Sequence, residues 1–275
     1  MSVIISELTV RSFEIDKLTI QWRVQFTSPE DSSKIKYYVE RSFSPTSEFE
    51  QLNIGPIIDQ YFYVDTTVDL RQKYREVYYR LKVVNENAIP IDTIYSDIHT
   101  RTPNILTSVS LIPLEIARNI RIYIEGTVNH RSPIGTPCLL FIRRTFGPYC
   151  PNCYDYLKER VRLSSCDVCY GTGYEKGFFS PIPVYLSFPA FTKTTTLEDI
   201  GEHQLTYNKI EASNWPIYSP GDLIVTRNNK RLRVTEVAPS ESVEGILINQ
   251  TLTALYITPG DTEYNIPINI GAFNG

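Results

Sequence analysis

The sequence predicts a mainly β protein in two parts, and three observations predict it. Val, Ile, Thr and the 19 Tyr fill much of the chain, and these residues suit a pleated, half-buried surface. Short runs of apolar–polar alternation recur through the N-terminal hundred residues, with no helical period between them. The 18 Pro stand at segment ends, as punctuation between strands. A length of 275 residues fits two domains at about 100–200 residues each, and an apolar content of 42% is enough for real cores.

Leu18, Ile20, Trp22, Val24 and Phe26 alternate with polar residues and predict a strand with one buried face. Ile35 to Arg41 and Phe62 to Val64 predict two more. Val77 to Asn85 is a fourth, with Val77, Tyr79, Leu81 and Val83 on one face, and Tyr95 to Thr102 closes the segment. Regularly spaced strands without intervening helices indicate an all-β sandwich over residues 1–103, ended by Pro103-Asn104.

Beyond Pro113, Leu114 to Tyr123 fits a short helix, since Pro is tolerated in a first turn, although the alternation from Ile120 to Tyr123 also fits a strand. Thr136 to Arg144 predicts a strand. Cys138 lies in its apolar run and is expected to be a buried small hydrophobe. Pro181 to Phe188, Tyr218 to Val225, Arg231 to Val237 and Gly245 to Tyr256 predict further strands, with a tight turn at Asn228-Asn229. These form a small β-barrel or curled sheet over residues 181–258, within a second domain of residues 104–275. Asp222, after Pro220-Gly221, is expected to be a turn residue rather than a catalytic carboxylate.

The strongest chemical signal is Cys150, Cys153, Cys166 and Cys169, two C-x₂-C pairs separated by twelve residues. Each pair puts two sulfurs on one side of a tight turn, and the intervening loop lets the turns face each other. Four thiolates at a tetrahedral point suit Zn²⁺ and leave it no open position, so the knuckle (residues 146–180) is expected to carry a structural rather than catalytic zinc. Gly171 and Gly173 permit the positive φ that turns backbone N–H groups toward the sulfurs. A redox dithiol would need a strand–C-x-x-C–helix context, and the surroundings are β-rich. His99, His130 and His203 are scattered and form no ligand pair.

A net charge of −4 argues against an extended nucleic-acid surface. Arg143, Arg144, Lys158, Arg160 and Arg162 cluster around the knuckle, which keeps a zinc-ribbon nucleic-acid-binding protein as the alternative. Their other role is to offset the charge of a zinc–tetrathiolate centre. Residues 1–10 lack the basic start and apolar core of a signal peptide, and no run of about 18 apolar residues predicts a membrane span. No paired carboxylates, nucleophile elbow or phosphate loop stands out, so an enzyme is not expected.

Two resemblances sharpen these expectations. Trp22, the Tyr38-Val-Glu-Arg41 strand, Val64-Asp-Thr-Thr67, the Tyr78-Tyr-Arg-Leu-Lys-Val-Val-Asn85 strand and the final Thr102-Pro103 occur in the order of a fibronectin type III domain, which the segment 5–103 resembles. The family's tyrosine usually starts the alternation, whereas here Val77 holds that phase and Tyr79 follows. Farther on come Phe146-Gly147 before the first cysteine pair, Cys166 to Tyr174, Gly177 to Tyr185, Ser219 to Val225 and the Arg231-Leu-Arg-Val234 strand. This ordered set, over residues 130–258, is similar to minor structural proteins of tailed bacteriophages of the neck or head-to-tail connector kind. The resemblance implies a virion component made in the host cytoplasm, docked on other virion proteins in several copies on a symmetric ring, while hydropathy predicts no membrane partner and the net charge argues against a nucleic-acid one.

Overall fold

The computed structural model describes residues 3–14, 17–27, 30–68, 76–101, 112–126, 134–155, 158, 160–162, 165–188, 192–197, 203–241 and 246–269. Among these residues the chain is mainly β, with a single α-helix. It divides into two compact units: Met1–Val109 with Arg144–Phe179, and Ser110–Arg143 with Ser180–Gly275.

The first unit opens with β1 (Val3–Glu14), β2 (Lys17–Phe26), β3 (Ile35–Ser42), β4 (Glu50–Gln51), β5 (Phe62–Asp65), β6 (Val77–Asn85), β7 (Asp92–Tyr95) and β8 (His99–Arg101). One sheet has the order β1-β2-β5 and the other β4-β3-β6-β7, with β8 pairing the start of β6. Alternation decides which face is buried. Leu18, Ile20, Trp22, Val24 and Phe26 from the first sheet and Ile35, Tyr37, Val39, Val77, Tyr79, Leu81 and Val83 from the second share one core. Trp22 and Tyr37 meet with ring centroids 5.4 Å apart.

A charged group lies inside this unit. Asp65, at the end of β5, is fully buried. It accepts hydrogen bonds from Tyr79 Oη at 2.7 Å, Arg41 Nη1 at 2.9 Å, and both the backbone N–H and the hydroxyl of Thr67 at 2.9 and 2.7 Å. Four donors satisfy a carboxylate that could not be buried alone.

Sequence and structure differ at the closing strand. Residues 95–101 do not form one strand, because Ser96 interrupts the ladder. Its N–H donates to the Leu81 carbonyl and its hydroxyl accepts the Leu81 N–H at 2.9 Å, so a side chain replaces a backbone partner. Thr102, Pro103 and Asn104 lie outside the described residues. Strand β1, absent from the sequence reading, pairs with β2 along most of its length, with register shifts between Ile5 and Glu7 and between Arg11 and Glu14.

The chain continues through α1 (Ile112–Glu125), β9 (Thr136–Phe141), the short pair β10 (Tyr154–Asp155) and β11 (Arg160–Val161), then β12 (Ile182–Leu186), β13 (Thr192–Leu197), β14 (His203–Ser213), β15 (Leu223–Thr226), β16 (Arg231–Glu241) and β17 (Leu247–Tyr256). In the second unit the sheet order is β12-β9-β15-β16-β17-β14-β13, antiparallel throughout. Just past β12, Ser187 exchanges two backbone hydrogen bonds of 2.9 Å with Glu211 of β14, which curls the sheet back on itself. Helix α1 packs on β12, β14 and β17. Pro113 sits in its first turn, Ala117 and Ile124 are buried two turns apart on one helical face, and Gly126 at φ 83° ends it. The helical period therefore prevails over the local alternation at Ile120 to Tyr123.

The expected turn at Asn228-Asn229 is present, with Asn229 at φ 57° and its N–H donating to the Thr226 carbonyl at 2.8 Å. Asp222 does close a turn, with its N–H on the Ser219 carbonyl, but it is also buried. Its carboxylate accepts the N–H groups of Arg143 and Ser219 at 2.9 and 2.8 Å. Cys138 is buried, and burial pushes its thiol up to about 12. The knuckle is grouped by its contacts with the N-terminal sheets, although a sequence division at residue 103 assigns it to the C-terminal part.

Two predictions follow from the buried carboxylates. Asp65→Ala takes the carboxylate from Arg41, leaving it only the Thr67 hydroxyl at 2.6 Å, and takes the acceptor from the Tyr79 hydroxyl, and urea unfolding should show a loss of about 3 kcal/mol. For Asp222, burial raises the pKa from 3.8 to about 6, against the pull of the two N–H donors. The folded state thus holds this proton more tightly than the unfolded state. The resulting stabilisation, up to about 3 kcal/mol, is full below pH 3.8 and is lost as pH rises through 6. Asp222→Asn should flatten that stretch of the stability–pH profile relative to the parent chain.

Candidate metal centre

Cys150 and Cys153 flank one turn and Cys166 and Cys169 another. All four are free thiols and buried, at 0%, 1%, 6% and 0% exposure. Their sulfurs all lie within 4.8 Å of one another. Cys150 and Cys166 sulfurs are 3.8 Å apart and those of Cys153 and Cys169 3.2 Å. Sulfurs about 2.3 Å from a shared tetrahedral ion would sit about 3.8 Å apart. The donor set therefore fits one four-coordinate metal ion and would use every position on it.

The two turns are built alike. The first cysteine's carbonyl accepts the N–H of the tyrosine that follows the second cysteine: Tyr154 to Cys150 at 3.1 Å and Tyr170 to Cys166 at 2.7 Å. The first turn leads into the hairpin β10–β11, from which Arg162 N–H returns to the Cys153 carbonyl at 2.7 Å. The second leads into a left-handed stretch, with Tyr170, Gly171 and Gly173 at φ 51°, 77° and 82°. Cys150 N–H then donates to the Gly173 carbonyl at 2.8 Å, which joins the two turns.

Glycine is required at two points. A Cβ on Gly173 would fall 2.5 Å from Val161 Cγ2, and one on Gly177, at φ 68°, would fall 2.4 Å from the Cys169 carbonyl oxygen. Tyr149 stacks between Tyr154 and Tyr174, with centroids at 3.9 and 5.5 Å, and covers one side of the cluster's framework.

Burial raises the Cys150 and Cys153 thiols. At Cys166 burial also acts upward, but the N–H groups of Cys169 and Val168 together with the Cys169 and Cys150 thiols outweigh it and the thiol is lowered. A cation supplies the compensation that lets such buried sulfurs ionise.

The basic residues near the knuckle are not all at the surface. Arg144 is buried and ion-paired with Asp59. Burial pulls its pKa to about 10, against the opposing effect of Tyr37 and Glu175. Arg162 pairs with Asp155 at 2.9 Å. Lys158 and Arg160 are exposed, and Arg143 belongs to the second unit. His99 and His203 are not in the cysteine cluster, and His130 lies outside the described residues.

The sequence reading missed what anchors the knuckle. Tyr61, Phe146 and Phe179 form a three-ring cluster, with centroid separations of 4.7, 5.2 and 6.1 Å. The Arg144 guanidinium lies over the Phe179 ring at 4.3 Å. Glu175 accepts the Ser32 N–H at 3.0 Å. Phe178 and Phe179 were legible only as part of a motif, and nothing local to Asp59 or Ser32 points to partners so distant in the chain.

Compared with protein-family models and with curated proteins, the chain matches none. Among the described residues no helix is long and apolar enough to cross a membrane.

Gly177→Ala should press a methyl group into the Cys169 carbonyl and strain φ together. The expected result is faster loss of bound metal to a chelator, with secondary structure elsewhere retained by circular dichroism.

Proposed function

We propose that the chain is a structural protein of a tailed-bacteriophage particle, placed at the neck, head-to-tail connector or tail. It acts by docking to other virion proteins, in several copies on a ring, and carries a structural Zn²⁺ on Cys150, Cys153, Cys166 and Cys169. The observation that carries this reading is where the phage-like segments fall. Phe146 to Tyr185 builds the metal centre and β12, and Ser219 to Val234 builds the Asp222 turn with β15 and the start of β16. An ordered set of motifs that coincides with a metal centre and a curled sheet supports a shared module.

Zinc is favoured because four sulfurs around one buried point suit Zn²⁺, and their closed arrangement suits a staple rather than a reaction. At the N terminus, a three-strand sheet against a second sheet, whose path β4-β3-β6-β7 carries β8 as a fifth strand on β6, supports the fibronectin type III reading. Tyr79 gives further support. Its hydroxyl reaches back to Asp65 at the end of β5, much as a tyrosine corner ties a strand to the preceding one. Burial of Arg144 against Asp59 and the pairing of Arg162 with Asp155 take charge away from a nucleic-acid surface, which favours protein docking.

Elemental analysis of the purified full chain should give one zinc per chain, and Cys153→Ser should abolish it. Iron with visible absorbance and no inorganic sulfide would replace zinc by a mononuclear iron–tetrathiolate centre. Antibody raised against the chain should label purified particles at the head–tail junction or tail, and particles lacking the chain would overturn the virion assignment.

A further inference from the structure

We infer that Asp59 and Arg144 are positioning residues for the metal centre, and that through them metal retention and the stability of the N-terminal sheets reinforce each other. This rests on the cysteine cluster holding a metal, but goes beyond it by assigning control of that metal to a residue in the loop before β5.

Arg144 is 4% exposed, and its partners lie on two sides. On one side its guanidinium pairs with Asp59. On the other, its backbone N–H donates to the Gly177 carbonyl at 2.9 Å and its Nε to the Phe178 carbonyl at 3.1 Å. Gly177 in turn sits so close to the Cys169 carbonyl that no side chain fits between them. Arg144 thus braces the backbone on which the Cys169 carbonyl rests.

Asp59 is held in the left-handed region at φ 61° and also pairs with Lys176 at 3.4 Å. Two residues earlier, Ile57 exchanges backbone hydrogen bonds of 2.9 and 3.0 Å with Tyr37 of β3. The Glu175–Ser32 bond adds a second tie to the turn before β3. A buried guanidinium cannot lose its carboxylate without cost, so the loop and the knuckle must keep their register together. Linkage makes the effect reciprocal: what metal gives to the sheets, the sheets return as metal affinity.

Asp59→Asn is the informative variant, because asparagine tolerates the left-handed backbone while the charge is removed. Arg144→Met and the double variant test whether the stranded charge is the cause. Full-length chains loaded with zinc are mixed with 4-(2-pyridylazo)resorcinol, and zinc transfer is followed by absorbance. Amide exchange at Tyr37 and Ile57 is measured with and without zinc.

Asp59→Asn should release zinc several-fold faster, short of the about 10-fold or more expected of a group bonded directly to a ligand, because Asp59 acts through Arg144. The double variant should release it more slowly than Asp59→Asn alone. Zinc removal should speed exchange at Tyr37 and Ile57 in the parent chain and much less in Asp59→Asn. Equal release from parent and Asp59→Asn chains, or exchange at Tyr37 and Ile57 indifferent to zinc, overturns the coupling and leaves the zinc site standing. A parent chain that holds no metal overturns both.

Discussion

Four thiols packed into a buried pocket are a poor arrangement without a cation among them. Sulfurs at 3.2 and 3.8 Å gain little from mutual contact, and burial opposes their ionisation at Cys150 and Cys153. A metal ion reverses both terms by making thiolates the favoured state and fixing their separation. Apparent binding energies of structural zinc in small domains, about 10–16 kcal/mol, compare with total domain stabilities of about 5–15 kcal/mol. In a segment whose strands, among the described residues, are the two-residue pair β10 and β11, a bound ion would supply the order that an apolar core supplies elsewhere. Left-handed backbone at Tyr170, Gly171, Gly173 and Gly177 is the conformational requirement of the same constraint.

Elsewhere the fold uses buried polar groups as fasteners where the chain leaves regular structure. Asp65 holds the exit of β5 to β3 and β6 through Arg41 and Tyr79. Gln250 does the same in the second unit. It is 1% exposed, accepts the Tyr218 N–H at 3.1 Å, and donates to the Ser213 and Pro216 carbonyls at 3.0 and 2.8 Å. Asp222 fastens the end of β9 to the turn before β15. Each supplies several partners at once, so backbone groups that no ladder satisfies are not buried unpaired. Such groups add little net stability when paired, but leaving them unpaired is costly, and that penalises alternative registers.

Strong periodicity and ligand spacing were legible in the sequence; long-range polar contacts were not. Val77, Tyr79, Leu81 and Val83 announce β6 because alternation on a half-buried strand is local information. The four cysteines announce their own convergence, since spacing alone restricts the geometry. Strand β1 escaped because Val3–Glu14 carries register shifts that break its alternation. The hairpin β13–β14 escaped because Thr192–Leu197 is threonine-rich without an apolar period. The split between β7 and β8 depends on one serine hydroxyl replacing a backbone partner, which no pattern of residue types encodes. Asp59, the ion-pair partner of the buried Arg144, reads in the sequence as an ordinary loop acid.

The placement of the knuckle has an energetic logic of its own. It is inserted between β9 and β12, which are antiparallel neighbours in one sheet. Residues 142–181 therefore form a long hairpin connection, and a connection of that length without internal order is uncommon in compact domains. The entropy of closing it grows only slowly with length, about 0.6 kcal/mol per doubling, so closure does not forbid the insertion. The larger cost is ordering the inserted residues, about 1–2 kcal/mol of backbone entropy each. A metal ion on the four cysteines would offset part of that cost by cross-linking two turns. The Tyr61–Phe146–Phe179 rings and the Asp59–Arg144 pair offset more by giving the segment apolar and ionic contacts it cannot make alone. An insertion ordered by both means acquires a fixed shape without needing a core of its own, which is the property a docking surface requires.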